Sequence, residues 1–208
     1  MREISDVVTS VAELRNVLGE PSHRVLRKEI SSLDVHCRAF IAKSPFVLIA
    51  SADRDGRMDV SPKGDPPGFV HVLDDQTLAI PDRPGNRRID TFRNVLENPH
   101  VGVVFLVPGK QETLRISGRA SIARDAWLRE QMKIGGKAPE FVLVVRVGQV
   151  MFHCAKCIVR SGLWTASAWP DIGGLPTLAE AMVHQGRLDE SVAEMQALID
   201  RDAATRLY

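Results

Sequence analysis

The chain has 208 residues, the length of one domain, and a chain of this size buries enough surface to fold without a disulfide or a metal. Hydrophobic residues make up 44% and charged residues 25%, an ordinary globular composition. With 27 Lys and Arg against 26 Asp and Glu, the formal net charge is +1, which argues against a nucleic-acid-binding surface, so any anion site must be local.

Nothing in the sequence marks export or membrane insertion. Three cysteines, Cys37, Cys154 and Cys157, do not form the regular framework of a secreted disulfide protein. The opening MREISDVVTSVAEL lacks the apolar core of a signal peptide, and no stretch approaches the roughly 20 apolar residues of a membrane span. We therefore expect a soluble, cytoplasmic protein that binds neither membranes nor nucleic acid.

The first part of the chain is predicted to be helical. Over 10–18, apolar residues fall on one face and Ser10 with Glu13 makes a capping box. A short helix is expected over 22–28. A third is expected over 33–43, where the apolar spacing indicates one buried face.

From residue 46 the pattern becomes that of strands joined by tight turns, which indicates an antiparallel sheet or barrel rather than a parallel one. Strands are expected over 46–51, 57–63, 69–73, 77–80, 101–107, 112–122 and 141–152. Helices are expected over 86–97 and near 125–133, and two helical segments broken near Gly186 end the sequence. Without a repeat or a linker, we expect one domain over 1–208 with helical extensions at both ends.

The run DRPGNRR, residues 82–88, predicts a phosphate site. Asn86 is a preferred N-cap type, so Arg87 and Arg88 are expected in the first turn of the following helix. Cations there are disfavoured by roughly 0.3–1 kcal/mol each, because the helix dipole is positive at that end. A bound phosphate would offset this cost by accepting hydrogen bonds from the guanidinium groups and the free backbone N–H groups.

The alternative is that these arginines are solvated or paired with Asp82 and Asp90, as surface charge runs usually are. Three other polar residues favour the phosphate. Ser61 and Lys63 stand at the end of one predicted strand and Arg115 on the polar face of another, and a small barrel can bring them to the same mouth.

Three segments carry a resemblance to a known family: VSPKG (60–64), LAIPDRPGNRRIDTFRNVLENPHVGVVFLVPG (78–109) and ETLRISGRA (112–120). Over about 33–164 the chain resembles the pyridoxamine phosphate oxidase-related flavin-binding split barrels, in particular their subgroup of FMN-dependent enzymes. The resemblance implies a mainly β, α+β fold: a six-stranded antiparallel split barrel with flanking helices. It also implies a homodimer with FMN in the groove between the subunits.

The same resemblance implies roles for ten residues. Ser61 and Lys63 would lie beside the phosphate or the ribityl chain. The phosphate would be held by Arg83, Asn86, Arg87 and Arg88, and the flavin ring would be approached by Thr113, Arg115, Lys156 and Trp164. Thr113 and Arg115 could come from the second subunit, and Trp164 could instead be an ordinary core residue. The family's basic Arg/His ending, which grips the substrate phosphate, is absent; the chain reads HCAKCIVRSGLW (153–164) there. Pyridoxamine phosphate oxidation itself is therefore not implied.

Cys154 and Cys157 form a CxxC beside His153. A zinc site commonly needs two such pairs, and Cys37 with His36 would complete four ligands only if they lay close by. A redox-active CxxC usually follows a strand in a βαβ unit, which the pattern lacks. We expect no metal site here; the segment is interpreted as the end of a strand at the barrel mouth.

Neither a Ser/His/Asp order nor a carboxylate pair stands out, and no catalytic residue is predicted. This agrees with flavin chemistry, in which the isoalloxazine carries the hydride and the protein positions it. The expected function is an FMN-dependent oxidoreductase acting on an unidentified small molecule. Two alternatives remain: a flavin-binding or redox-sensing protein without turnover, and a split barrel that uses haem or a deazaflavin.

Overall fold

The computed structural model describes residues 3–208. Its helices are α1 (Val11–Leu18), α2 (His23–Arg27), α3 (Val35–Ile41), α4 (Asp90–Glu97), α5 (Ala126–Gln131), α6 (Lys156–Ser161), α7 (Leu178–Gly186) and α8 (Val192–Thr205). Its strands are β1 (Phe46–Ala52), β2 (Met58–Gly64), β3 (His71–Asp74), β4 (Thr77–Pro81), β5 (His100–Leu106), β6 (Thr113–Ala123) and β7 (Val142–His153).

The strands form one antiparallel sheet in the order β2-β1-β5-β6-β7-β4-β3. Each segment predicted as a strand is one, which confirms the mainly antiparallel α+β fold. The resemblance implied six strands, whereas the sheet has seven, so the expected number is wrong by one. The tight turn after Asp74 lets the four-residue β3 pair with β4 at the sheet edge, and this adds the seventh strand.

The core lies between the apolar face of the sheet and α3. Asp34 begins α3, since its carboxylate accepts a hydrogen bond from the Cys37 N–H at 2.8 Å. The apolar face predicted for this helix is buried, and Phe40 meets Phe152 of β7 edge to face. The sheet contributes fully buried side chains at Val47, Ile49, Val103, Phe105, Leu114, Ile116 and Val145.

α4 begins four residues later than the sequence indicated. Arg87 and Ile89 have left-handed backbones, with φ of 59° and 55°, and a helix cannot run through such residues. Asn86 does not cap the helix; its side-chain oxygen accepts a hydrogen bond from the Arg88 N–H at 3.1 Å, which closes a local turn. The prediction that Arg87 and Arg88 occupy the first helical turn is therefore wrong, and both lie in the loop before it.

The terminal helices pack little against the sheet. α1 buries none of its residues, and its apolar face is exposed. α7 and α8 pack against each other around Ala179 and Met195, and the predicted break near Gly186 is confirmed. Within residues 3–208, every helix is too short or too polar to cross a membrane.

Candidate functional site: a basic groove

A cavity of about 850 Å³ opens beside the loop that precedes α4. This volume lies in the range of small-molecule sites. Its walls are that loop, the first turn of α4, the end of β2, residues of the segment 134–141, and the end of α8 with residues that follow it. Six predicted site residues line it together: Ser61, Lys63, Arg83, Asn86, Arg87 and Arg88. We call this cavity the basic groove.

The arginines of the groove differ in their partners. Arg88 Nε donates to Asp90 at 2.7 Å, so Arg88 is paired with a carboxylate, as the alternative interpretation of the sequence expected. Asp82 instead contacts Lys63, with Nζ and the carboxylate oxygen 3.6 Å apart. The Arg87 guanidinium makes no ion pair and no hydrogen bond with any residue of 3–208, and it faces the groove uncompensated. The loop thus presents one fully free cation.

Arg83 is held from one side. Its Nε donates to Asp65 at 2.6 Å, and the Asp65 side chain is only 1% exposed. Its two terminal nitrogens have no partner within the described chain, so they remain available to a ligand. A guanidinium fixed in this way presents a planar pair of donors, which matches two oxygens of a phosphate.

Hydroxyl groups line the floor of the groove. Ser61 Oγ donates to Asp59 at 2.8 Å, and Thr91 Oγ lies 3.1 Å from the same carboxylate and 3.0 Å from Ser61 Oγ. Thr91 was missed by the sequence reasoning. A signal existed: Thr91 and Asn94 occupy the helix face that also buries Val95, and a polar residue on a buried face needs a polar partner.

The start of α4 adds backbone donors. The first intrahelical hydrogen bond of this turn is donated by the Arg93 N–H to the Ile89 carbonyl at 2.9 Å. The N–H groups of Asp90, Thr91 and Phe92 precede it, and all three residues line the groove. The helix dipole therefore favours an anion at this point, although the arginines lie before the helix rather than in it.

Positive charge predominates on the walls. The lining cations are Lys63, Arg83, Arg87, Arg88, Lys137 and Arg206, and the lining carboxylates are Asp82, Asp90 and Glu140. Burial raises the pKa of Asp82, and the nearby Lys63 opposes this rise. Burial, and then the charge of Arg83, lowers the pKa of the nearby His71 and so favours its neutral form.

One wall comes from Tyr208, which sequence reasoning also missed. Its hydroxyl donates to Asp65 at 2.7 Å, and the Arg83 guanidinium carbon lies 5.9 Å from the centre of its ring. Lys137 Nζ donates to the Tyr208 carbonyl at 2.6 Å. No pattern in the sequence pointed to this residue, because it is remote from the other groove residues along the chain.

Four predicted residues lie outside the basic groove. Thr113 pairs with His153 and Arg115 with Met151, at the end of β6 and β7 far from the groove-lining Phe141. Lys156 is exposed at the start of α6. Trp164 is half-exposed rather than a core residue, and its ring N–H donates to the Lys110 carbonyl at 2.8 Å.

The CxxC lies near that second set. Cys154 and Cys157 are both exposed, whereas Cys37 is buried in the core. Within residues 3–208, no three His, Cys, Asp or Glu side chains are grouped to hold a metal ion. His153 Nε2 is buried without a hydrogen-bond partner in the described chain. Burial, and then the charges of Arg115 and Lys28, lower the pKa of His153.

Comparison with known proteins gives one family. Residues 33–154 match the model of the family described as pyridoxamine 5′-phosphate oxidase. No curated protein sequence matches the chain.

Several solved structures are similar. HupZ of Group A Streptococcus is 18% identical with a TM-score of 0.47, over 57% of this chain and 92% of its own. An FMN-binding protein of Syntrophomonas wolfei is 13% identical with a TM-score of 0.45, over 68% and 92%. HutZ, the heme storage protein of Vibrio cholerae, is 16% identical with a TM-score of 0.42, over 59% and 94%.

Proposed function

The chain belongs to the pyridoxamine 5′-phosphate oxidase family, and on this premise we propose that it binds FMN in the basic groove and acts as an oxidoreductase on a small molecule. The observation that carries the proposal is the set of uncommitted donors. Arg87 has no partner in residues 3–208, Arg83 has two free terminal nitrogens, and the first turn of α4 faces the same space. A phosphate monoester satisfies such donors.

The other walls fit the rest of a flavin nucleotide. Ser61 and Lys63 offer polar contacts at the end of β2, where a ribityl chain would run. Phe92 and Phe141 meet edge to face with ring centres 5.7 Å apart, and both line the groove beside Ile134. An apolar wall of this kind suits a flat aromatic ring and keeps water from it.

Bound FMN would supply the hydride acceptor or donor, and the residues of this chain would position it. Arg83 and Arg87 would hold the phosphate in place. Lys63, whose Nζ lies 3.6 Å from an Asp82 carboxylate oxygen, would hold the polar chain of the ligand. The basic groove has no Ser/His/Asp arrangement among its described residues, so the substrate class stays open.

We further propose a homodimer that binds FMN at its subunit interface. Thr113, Arg115, Lys156 and Trp164 lie at the opposite end of β6 from the groove. A second copy of the chain could bring its own set to this groove. The outer side chains of β2, Met58 and Val60, are exposed and apolar, and burial of such side chains drives association. Equilibrium sedimentation with and without FMN would test this.

Haem is the less favoured alternative on the chemistry of the walls. No His, Cys or Met is found among the groove-lining residues of the described chain, and the hydroxyl of Tyr208 is already bonded to Asp65. A deazaflavin cofactor also has an aromatic ring and a phosphate, and its absorption spectrum distinguishes it from FMN.

The absorption spectrum of the purified protein tests the cofactor. We expect flavin bands, with FMN released on denaturation and identified by mass spectrometry. A Soret band, a deazaflavin spectrum, or failure of the colourless protein to bind added FMN would contradict the proposal. Turnover is a separate test. Steady-state consumption of NAD(P)H or of an oxidisable amine indicates an enzyme, and its absence with FMN bound favours the carrier or redox sensor.

A further inference from the structure

The segment after α8 reaches the most buried ion pair of the basic groove. The Tyr208 hydroxyl donates to one oxygen of Asp65 at 2.7 Å, and Arg83 Nε donates to the other at 2.6 Å. The Tyr208 ring lies against the guanidinium of Arg83. Tyr208 therefore touches both partners of the pair, from an element that is otherwise packed away from the sheet.

This contact has an electrostatic consequence. The Asp65 carboxylate has a 1% exposed side chain, and a buried carboxylate needs donors on both oxygens. Without the phenol, one oxygen of Asp65 would lose its partner and Arg83 would be drawn towards it. The negative charge of Asp65 would then be less well compensated. This charge lies beside the site where the negatively charged phosphate would bind.

It also has a geometric consequence. Arginine has a flexible side chain, and ordering it on binding costs conformational entropy. Arg83 is fixed at Nε by Asp65, and its guanidinium carbon lies over the Tyr208 ring at 5.9 Å from the ring centre, so that its two terminal nitrogens remain for a ligand. The entropy loss then occurs on folding rather than on binding.

We infer that Tyr208 is a positioning residue of the phosphate site, which holds the Asp65–Arg83 pair so that the free nitrogens of Arg83 receive a phosphate monoester. The inference rests on the proposed function, because it assumes that the anion in the groove is the phosphate of FMN. Tyr208 itself would not need to touch the ligand.

The test compares FMN with riboflavin, which has the same ring and ribityl chain but no phosphate. Tyr208→Phe removes the hydroxyl and keeps the ring over Arg83, and Tyr208→Ala removes both. We expect Tyr208→Phe to weaken FMN binding about tenfold and riboflavin binding less than about twofold, as is typical for loss of an outer hydrogen bond to a ligand-holding group. Tyr208→Ala should weaken FMN further.

Leu207→Ala is the matched control, since Leu207 is exposed and does not line the groove. It should leave both dissociation constants unchanged, and thermal unfolding checks that each variant is folded. Unchanged FMN affinity in Tyr208→Phe overturns the inference. So does equal weakening for FMN and riboflavin, which would indicate a merely structural role.

The wild-type protein separates this inference from its premise. If it binds riboflavin as tightly as FMN, the proposed phosphate site is wrong and the role of Tyr208 falls with it. If the wild-type protein prefers FMN and Tyr208→Phe keeps the same preference, only the role of Tyr208 is overturned.

Discussion

Arg87 combines two unfavourable features at one position. Its backbone is left-handed, with φ of 59°, which costs a non-glycine residue roughly 1–2 kcal/mol. Its charge has no partner within residues 3–208. Replacing Arg87 with glycine would remove both the backbone strain and the guanidinium. The strain affects the stability of the fold, whereas the guanidinium affects ligand binding in the basic groove, so one substitution has two separate effects.

We predict that Arg87→Gly stabilises the fold and weakens FMN binding. The free energy of unfolding should rise by up to about 1 kcal/mol as the strain is relieved. FMN affinity should fall roughly 10–100-fold with the loss of a charge-assisted hydrogen bond. Urea unfolding and flavin fluorescence titration measure the two effects.

Arg187→Gly is the matched control for this substitution. Arg187 also has a left-handed backbone, with φ of 49°, but it follows α7 outside the groove. It should stabilise the protein without changing FMN affinity. Full FMN affinity in Arg87→Gly would show that Arg87 does not hold the phosphate.

Tyr208 is the only tyrosine of the sequence, so its ionisation can be followed by absorbance. The hydrogen bond to Asp65, followed by desolvation and the charge of Asp65, raises its pKa above the ordinary value of 10.0. Because the folded pKa is raised, the contact stabilises the protein fully below the unfolded pKa, and this contribution is lost as the pH rises through the folded pKa.

We expect the phenolate absorbance of the native protein to appear at higher pH than that of the denatured protein. Asp65→Asn should move the native titration back towards the ordinary value, since the carboxylate that accepts the hydrogen bond is gone. Identical titrations of the native and denatured protein would contradict the contact between Tyr208 and Asp65.

At the scale of the elements, the pairing of β6 with β7 contains one irregularity. Their register shifts between Ser117 and Gly118, which is a β-bulge. A Cβ added at Gly118 would lie 2.1 Å from the backbone oxygen of Arg146, a distance that requires the strands to move apart. Glycine is required there by the close approach of two backbones.

Gly118→Ala should therefore destabilise the protein by about 3 kcal/mol or more, the upper range for forcing extra volume into a packed site. Gly148→Ala is the control across the same bulge, since its added Cβ would meet the Ser117 oxygen at an ordinary 3.5 Å. Urea midpoints compare the two variants. Equal stability of both would mean that the bulge relaxes easily.

The elements also show how far the sequence was informative. All seven strands were predictable, because their apolar residues recur between clear turn residues. The start of α4 was not, because Asn86 is equally suited to capping a helix and to closing a local turn. Because Arg87 and Ile89 have left-handed backbones, Asn86 closes a turn instead of capping a helix. The residue types gave no indication of these left-handed backbones.

The candidate site was predictable only for residues that lie close to one another along the chain. Six of its residues lie close to one another in two short segments, so the sequence could group them. Tyr208 lies 143 residues from Asp65, and such a contact depends on how α8 is placed in the tertiary structure. Thr113, Arg115, Lys156 and Trp164 follow from the resemblance alone, and their link to the groove stays a prediction.

At the scale of the whole molecule, the buried Cys37 reports on global unfolding. Burial raises its pKa to about 11, whereas Cys154 and Cys157 are exposed on the surface. Thiols react as thiolates, so Cys37 is protected both by its surroundings and by its protonation.

We predict that a thiol reagent at neutral pH modifies two cysteines quickly in the native protein and the third only in denaturant. The Cys154→Ser and Cys157→Ser double variant isolates the slow reaction of Cys37. Its rate should increase with urea in parallel with the loss of structure. Rapid modification of Cys37 in the native double variant would contradict the packing of α3 on the sheet.

The position of β2 at one edge of the sheet leaves a row of its backbone groups without a neighbouring strand. Pro62 lies within β2 and has no N–H, so the outer row of backbone donors has a gap there. Another strand added alongside β2 could not complete its ladder, and Asp59 and Lys63 add charges that discourage such growth. Pro62 therefore disfavours the addition of a strand along this edge of the sheet, which is a common protection of exposed edge strands against aggregation.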